Sequence, residues 1–248
     1  MNIMIIGGTS GMGLALAKHY LSLDHTVAVC GRDLSKLATS FLQSAPSKLQ
    51  TYQFDIANRA DMETALQHFT ENSLRSLDLL VVTAGTYFNS RTQPLDAAAT
   101  LALLRTNVSG LHHAFELASK QMLHQGFGHL VAISSIAGLL KDYPSASAYS
   151  ATKRAVLANC DCYRKALAPF EIAVTAVVPG YINTEKLRQI NNGDASHKPF
   201  LMSEARALQH IVSAIERRQS VRVFPWQMRY IVALLNFLPL HRLWLKRR

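Results

Sequence analysis

Tyr149 and Lys153 stand four residues apart at the end of the stretch ISSIAGLLKDYPSASAYSATK, residues 133 to 153. If a helix begins near Ser147, that spacing places both side chains on one face. A free phenol titrates at about 10, too high to exchange protons readily at neutral pH. A neighbouring ammonium favours the phenolate and draws that value toward the working range. Tyr149 can then give a proton to a carbonyl oxygen as hydride arrives at its carbon, or take one in the reverse direction. Ser135, at the end of the preceding apolar run, can hydrogen-bond the same oxygen and stabilise its developing charge. Ser134 is the alternative, because alternation along a strand points only one of the two into a site.

A second chemistry sits near the start of the chain, in IIGGTSGMG, residues 5 to 13. Gly7, Gly11 and Gly13 follow a short apolar run as G-x-x-x-G-x-G. Such glycines permit a tight turn and let backbone N–H groups approach a pyrophosphate at the positive end of a helix. Thr9, Ser10 and Met12 share that turn and join the candidate contacts. Leu14 stands where a Walker A loop needs lysine, which excludes a P-loop nucleotidase. At the end of the next apolar run, CGRDLSKL puts Gly31 and Arg32 where the adenosine ribose of a dinucleotide should lie. An acid there reads the 2′-hydroxyl of NAD, whereas arginine accommodates a 2′-phosphate, so the expected cofactor is NADP(H). On the competing reading, Asp33 caps a helix beginning near Leu34 and Arg32 is a solvated neighbour.

The elements that position these groups are legible as apolar runs at 2–6, 26–30, 49–54, 77–82, 129–134, 172–178 and 221–224. Continuous runs of this kind suit strands covered on both faces. Between them lie helical spacings such as Leu14, Ala17, Leu21 and Met62, Leu66, Phe69. The alternation predicts an α/β fold: a doubly wound parallel sheet of Rossmann type, about seven strands, in a single domain. Its span is 1–225, with 226–248 as an apolar, basic C-terminal extension. The polar segment 184–200 reads as a mobile loop over a pocket.

Composition narrows the class. Of 248 residues, 49% are apolar, enough for one substantial core. Cys30, Cys160 and Cys162 are an odd set without C-x-x-C, which argues against a disulfide framework or a cysteine zinc site and for a reducing, cytoplasmic compartment. His112 and His113 lack partners at metal-ligand spacing, so no metal is expected. The start MNIMIIGG lacks a basic n-region and is read as structure, not as a signal peptide.

Taken together, these motifs resemble the short-chain dehydrogenase/reductase family, in the family's order and over essentially residues 1 to 225. The resemblance implies a catalytic set of Asn107, Ser135, Tyr149 and Lys153, with Lys153 also on the nicotinamide ribose. Gly7, Gly11 and Gly13 match the family's glycine motif, and Arg32 matches the basic residue of its NADP(H)-preferring members. Asp55, followed by Ile56, matches the aspartate beside the adenine. Ala84 and Gly85 match the end of the Asn-Asn-Ala-Gly motif. Asn107 resembles the asparagine that breaks a helix and holds a water for the proton relay. PGYINT, residues 179 to 184, matches the loop against the nicotinamide carboxamide, with Pro179, Gly180, Ile182 and Thr184 among the contacts. Two departures are visible: Ile6 replaces the usual threonine, and Val82-Thr83 replace Asn-Asn. Both bear on scaffold hydrogen bonds more than on chemistry. Asp55 also has a local alternative, as a cap of the following helix.

The resemblance further implies a homodimer or homotetramer joined through the long helices around 108–125 and 149–167. The expected partner is a small carbonyl or alcohol, its specificity set by loops near 86–96, 139–147 and 184–202. Charge is uneven: of the net +10, residues 217–248 carry +8 without a single acid. Leucines and aromatics accompany those bases, so nucleic acid is not expected as a partner. Three uses of the tail compete: roofing the pocket, packing in a subunit interface, or lying on an anionic membrane as a peripheral contact. Each favours a lipophilic substrate over a sugar, and a reductase of a long-chain ketone is the alternative within enzymes. A catalytically idle NADPH-binding regulator is the alternative of another class.

Overall fold

The computed structural model describes residues 1–45, 47–73, 76–87, 96–141 and 148–237. Its strands are β1 (Asn2–Ile6), β2 (Thr26–Gly31), β3 (Leu49–Gln53), β4 (Leu79–Val82), β5 (His129–Ile133), β6 (Ala173–Pro179) and β7 (Val221–Phe224). The helices between them are α1 (Gly11–Ser22), α2 (Thr39–Gln43), α3 (Arg59–Asn72), α4 (Ala97–Leu104), α5 (Leu111–Gln125), α6 (Ala148–Leu167), α7 (Glu185–Ile190), α8 (Glu204–Glu216) and α9 (Trp226–Phe237).

Burial explains why the strand sequences are apolar without alternation. In β1, Ile3 and Ile5 face one side and Met4 and Ile6 the other, and none exceeds 2% exposure. Val27 and Val29 of β2 share the first side, Ala28 and Cys30 the second. The first side is covered by α1 and α8 through Leu16, Ala17, Tyr20, Ala207 and Ile211. The second is covered by α3, α5 and α6 through Phe69, Phe115, Val156 and Cys160. All neighbouring strands are parallel, in the order β3-β2-β1-β4-β5-β6-β7. The order reverses between β1 and β4, which opens a crevice beyond their carboxyl ends where ligands of such sheets bind.

Two local expectations need correction. The segment 184–200 is not loop throughout, because Thr184 Oγ1 accepts the Leu187 N–H at 3.2 Å and caps the six-residue α7. Asp55 does not cap α3; Asn58 does, accepting from the N–H groups of Ala60 and Asp61. The cap expected at Asp33 is present, on the 3-10 turn Leu34–Lys36.

Helix α9 lies on the protein's own surface. Met228 and Val232 pack with Ile136, against Leu139, Tyr181 and Val223. Asn236 clamps the same turn, donating to the Leu139 carbonyl at 2.7 Å and accepting from the Lys141 N–H at 2.9 Å. The helix therefore braces the turn that follows Ser135. Residues 238–248 lie outside the described residues.

Candidate active site

The glycine turn is shaped by how closely β1, α1 and β4 approach. Gly7 has φ +94°, and a Cβ there would meet Ala84 N at 2.5 Å. A Cβ on Gly13 would lie 2.2 Å from the Gly7 carbonyl oxygen. Gly11, at φ +50°, has open space where its Cβ would be. Ser10 is extended and makes no side-chain cap, so the N-terminus of α1 meets that space without a side chain across it. Thr9 and Met12 are buried behind the turn.

The end of β4 holds this turn in place. The Ile6 carbonyl accepts from the N–H groups of Thr83 and Ala84, both at 2.9 Å. Thr83 Oγ1 donates to the Ile6 carbonyl at 3.2 Å and the Gly7 carbonyl at 3.0 Å. Thr83 is thus the residue that supplies the scaffold bonds where the Asn-Asn pair is absent. Arg32 leaves β2 with its side chain 71% exposed and only a 3.9 Å contact to Asp55, an interaction of little strength in water. Asp55 accepts the Ala57 N–H at 2.9 Å, and Ile56 is buried against Gly110.

The second half of the site gathers at the ends of β5 and β6 and on α6. Ser134 Oγ is committed to the Lys153 carbonyl at 2.8 Å and is buried. Ser135 points the other way: its Oγ accepts the Ala137 N–H at 3.2 Å, which leaves its own proton to donate. A side-chain hydrogen bond joins it to Tyr149. Both serines border the cleft, and Ser134 is the one whose hydroxyl is tied to the α6 backbone. Tyr149 stands one residue into α6, with Tyr87 edge-on at 4.9 Å. Lys153, one turn further and 6% exposed, donates to the Ile133 carbonyl at 3.0 Å.

At Asn107 the α-helical pattern is interrupted. The chain passes from α4 through a π-helical segment, Arg105–Gly110, into α5. Such widened turns accompany functional sites. The Asn107 side chain accepts from the Thr86 N–H at 2.8 Å and donates to the Thr86 carbonyl at 3.0 Å and to Thr152 Oγ1 at 3.1 Å. It ties the loop after β4 to α6 beside Lys153. A Cβ on Gly85 would lie 3.2 Å from Lys153 Nζ and 3.5 Å from Asn107 Oδ1, so the three groups converge.

Electrostatics differ from the expectation for an isolated pair. Burial pushes Tyr149 up to about 12, against the opposing effect of its bond to Ser135. Burial also lowers Lys153 to about 8, helped by the charge of Lys186. Lys153 Nζ lies 5.9 Å from the Tyr149 ring centroid, and desolvation outweighs it. In this geometry Tyr149 is a phenol at neutral pH and is poised to donate.

These residues line a cleft of about 420 Å³ that also includes Ile136, Leu140, Tyr181, Leu187 and Ile190. Gly180, Ile182 and Thr184 form part of its wall, with Pro179 buried behind them at the end of β6. Sequence reasoning passed over Lys186, which reaches from α7 to donate to the Gly85 carbonyl at 3.1 Å. The signal was the capping pattern of Thr184 ahead of Leu187, which turns a polar stretch into a helix and aims this lysine across the cleft.

The model of the short chain dehydrogenase family matches residues 1–195. Dehydrogenase/reductase SDR family member 7B of Xenopus laevis is 30% identical over 202 residues, which cover 78% of this chain and 62% of that protein. An uncharacterized oxidoreductase of Mycobacterium tuberculosis is 29% identical over 231 residues, 90% of this chain and 88% of its own length. Among solved structures, ElxO with NADP bound aligns with a TM-score of 0.79 at 25% identity, covering 90% of this chain and 96% of that one. A short chain dehydrogenase of Burkholderia cenocepacia in complex with NADP aligns at 0.78 and 22% identity over 95% and 92%, a likeness of fold.

Replacing Thr83 with valine keeps its shape and deletes its two donated hydrogen-bond contacts. Denaturant unfolding is expected to show a loss of about 1 kcal/mol, and an unchanged midpoint would mean that Thr83 does not hold the turn.

Proposed function

We propose that this chain, which belongs to the short-chain dehydrogenase family, moves hydride between NADP(H) and a carbonyl or alcohol carbon with Tyr149 as proton donor or acceptor. The observation that carries this reading is the convergence of Ser135, Tyr149 and buried Lys153 in one cleft with Gly85.

The residues present fit a dinucleotide. Gly7 and Gly13 allow the turn to approach β4 in a way that no Cβ permits, and Gly11 borders open space at the start of α1. Backbone N–H groups of that turn, from Thr9 to Gly13, suit a diphosphate at a helix N-terminus. Arg32, largely exposed, suits a 2′-phosphate. Asp55 and Ile56 would border the adenine, and Ala84, Gly85, Lys153, Pro179, Gly180, Ile182 and Thr184 the nicotinamide half. When bound, the cofactor supplies or accepts the hydride.

The protein's own part is to manage the oxygen. Tyr149 gives its proton to the substrate oxygen in the reductive direction. Ser135, whose hydroxyl bonds Tyr149, turns to that oxygen, orients it and stabilises charge on it. The Lys153 cation stabilises the phenolate that Tyr149 becomes, and Asn107 keeps Lys153, Thr152 and the Thr86 loop in register. The apolar lining by Ile136, Leu140, Leu187 and Ile190 supports a lipophilic carbonyl compound as substrate.

The alternative within the same chemistry is a reductase of a lipid ketone at a membrane surface, with α9 as a peripheral contact. Trp226, Tyr230, Leu234 and Phe237 are 65%, 67%, 58% and 85% exposed, at helical spacing on α9. No acid follows Glu216, which suits an anionic surface. Among the described residues no helix is long and apolar enough to cross a membrane. Self-association through α5 and α6 as a homodimer or homotetramer is also carried over from the family.

Wild-type protein is expected to consume NADPH with ketones of graded chain length, and Tyr149→Phe to lower kcat/KM at least about 100-fold. Binding of NADPH without turnover in either protein would favour an idle regulator. Because Lys153 is cationic only below about 8 while Tyr149 stays protonated, reductive kcat/KM should be flat below pH 8 and decline above it. A profile level to pH 10 would remove Lys153 from the mechanism. For Arg32→Ala, calorimetry should show weaker NADPH binding with NADH affinity retained; equal losses for both would dismiss Arg32 as the reader. Sedimentation with vesicles rich in anionic lipid should carry the full chain down at low salt and leave a Tyr230→Glu, Phe237→Glu variant in solution. Equal recovery of both proteins would exclude α9 as the contact.

A further inference from the structure

A second cavity, of about 500 Å³, opens between β7, the first turns of α8, the segment Phe200–Met202 and the start of α9. It shares no lining residue with the catalytic cleft. Its charged and titratable walls are Arg206, His210 and Arg222, and no carboxylate lines it among the described residues. The Arg222 guanidinium donates to His210 Nδ1 at 3.0 Å, which requires that nitrogen to be unprotonated. His210 is held below its usual value by burial and by the charges of Arg222 and Arg206. Its ring stacks on Phe224 at 4.9 Å.

Two buried polar atoms in this wall lack partners: Arg222 Nε has no acceptor and Gln227 Oε1 no donor. Only six side-chain atoms are in that condition among the described residues, and two of them meet here. A buried polar group left unsatisfied carries a desolvation penalty that a ligand removes. Against these stand apolar surfaces, with Phe200 and Trp226 at 45% and 65% exposure beside Val223 and Pro225.

We propose that this cavity is a second binding site, which takes an amphiphile with a carboxylate or phosphate head. The head accepts from the guanidinium groups of Arg222 and Arg206. The apolar body lies against Phe200, Val223 and Trp226. A bare inorganic ion would satisfy the cations and leave those aromatic surfaces in water. The segments that line the two cavities are hydrogen-bonded to each other. The Gly180 N–H donates to the Phe224 carbonyl at 2.7 Å, and Met202 exchanges bonds with Tyr181 and Asn183 at 2.9 and 2.8 Å. The site does not depend on the hydride chemistry, so the two readings stand or fall separately.

The chain has two tryptophans, so a Trp244→Phe background leaves Trp226 as the reporter at the cavity mouth. Octanoate, octyl phosphate and neutral octanamide are titrated at constant ionic strength while Trp226 emission is followed. At least one of the two anions is expected to give a saturable change at about tenfold lower concentration than the amide, as one charge-assisted hydrogen bond provides. Octanoate against octyl phosphate separates the two head chemistries. Arg222→Met should reduce the preference over the amide to less than about twofold, and Arg206→Met, on the exposed side of α8, should reduce it in part if the first variant does not fold. Equal titration by the anions and the amide, a change that never saturates, or competition by inorganic phosphate as strong as by the amphiphiles would overturn the proposal.

Discussion

The rest of the structure depends on one close approach, that of the glycine turn after β1 to the end of β4. A single carbonyl, that of Ile6, accepts from two backbone N–H groups and the Thr83 hydroxyl. This cluster forms only because β1 and β4 are neighbours, at the point where strand order reverses. It brings the N-terminus of α1 to one side of the crevice and the loop carrying Gly85 to the other. Without it, neither the open space at the N-terminus of α1 nor the convergence of Gly85 with Lys153 and Asn107 would exist.

Burial then sets the chemistry. Lys153 sits where desolvation weakens its charge, and Tyr149 where desolvation strengthens its hold on the proton. These shifts run opposite to those of an ion-paired phenolate and ammonium, and they leave a neutral acid facing the cleft. The hydroxyl of Ser135 and the π-helical segment at Asn107 complete the site by geometry, one by turning outward from the strand end and the other by cross-linking two loops.

At the far end of the sheet, β7 and α9 have a different character. Helix α9 is held by Met228, Val232 and Asn236, all on one face, and presents aromatic residues on the other. The basic residues of that region are therefore divided between an exposed surface and a cavity wall. The second carries unpartnered polar atoms that the catalytic cleft does not use.

What the sequence determined by itself was everything set by local spacing: seven apolar runs, the glycine turn, the helical pairing of Tyr149 with Lys153, and the family they resemble. All seven strands lie within two residues of those runs at either end; the five inner ones are buried on both faces and leave an apolar signature, whereas the edge strands β3 and β7 are partly exposed and more polar. Tertiary structure decided the rest. That Ser134 spends its hydroxyl on the Lys153 carbonyl required knowing that α6 lies behind it. The role of Thr83 required β1 beside β4, and that of Lys186 required α7 opposite Gly85, 101 residues away in the chain. The upward shift of Tyr149 followed from the desolvation of its hydroxyl in the fold. Spacing along a chain reports which groups share an element. Which elements meet, and how much water they exclude, depends on contacts between residues far apart in sequence, and those set both partners and pKa values.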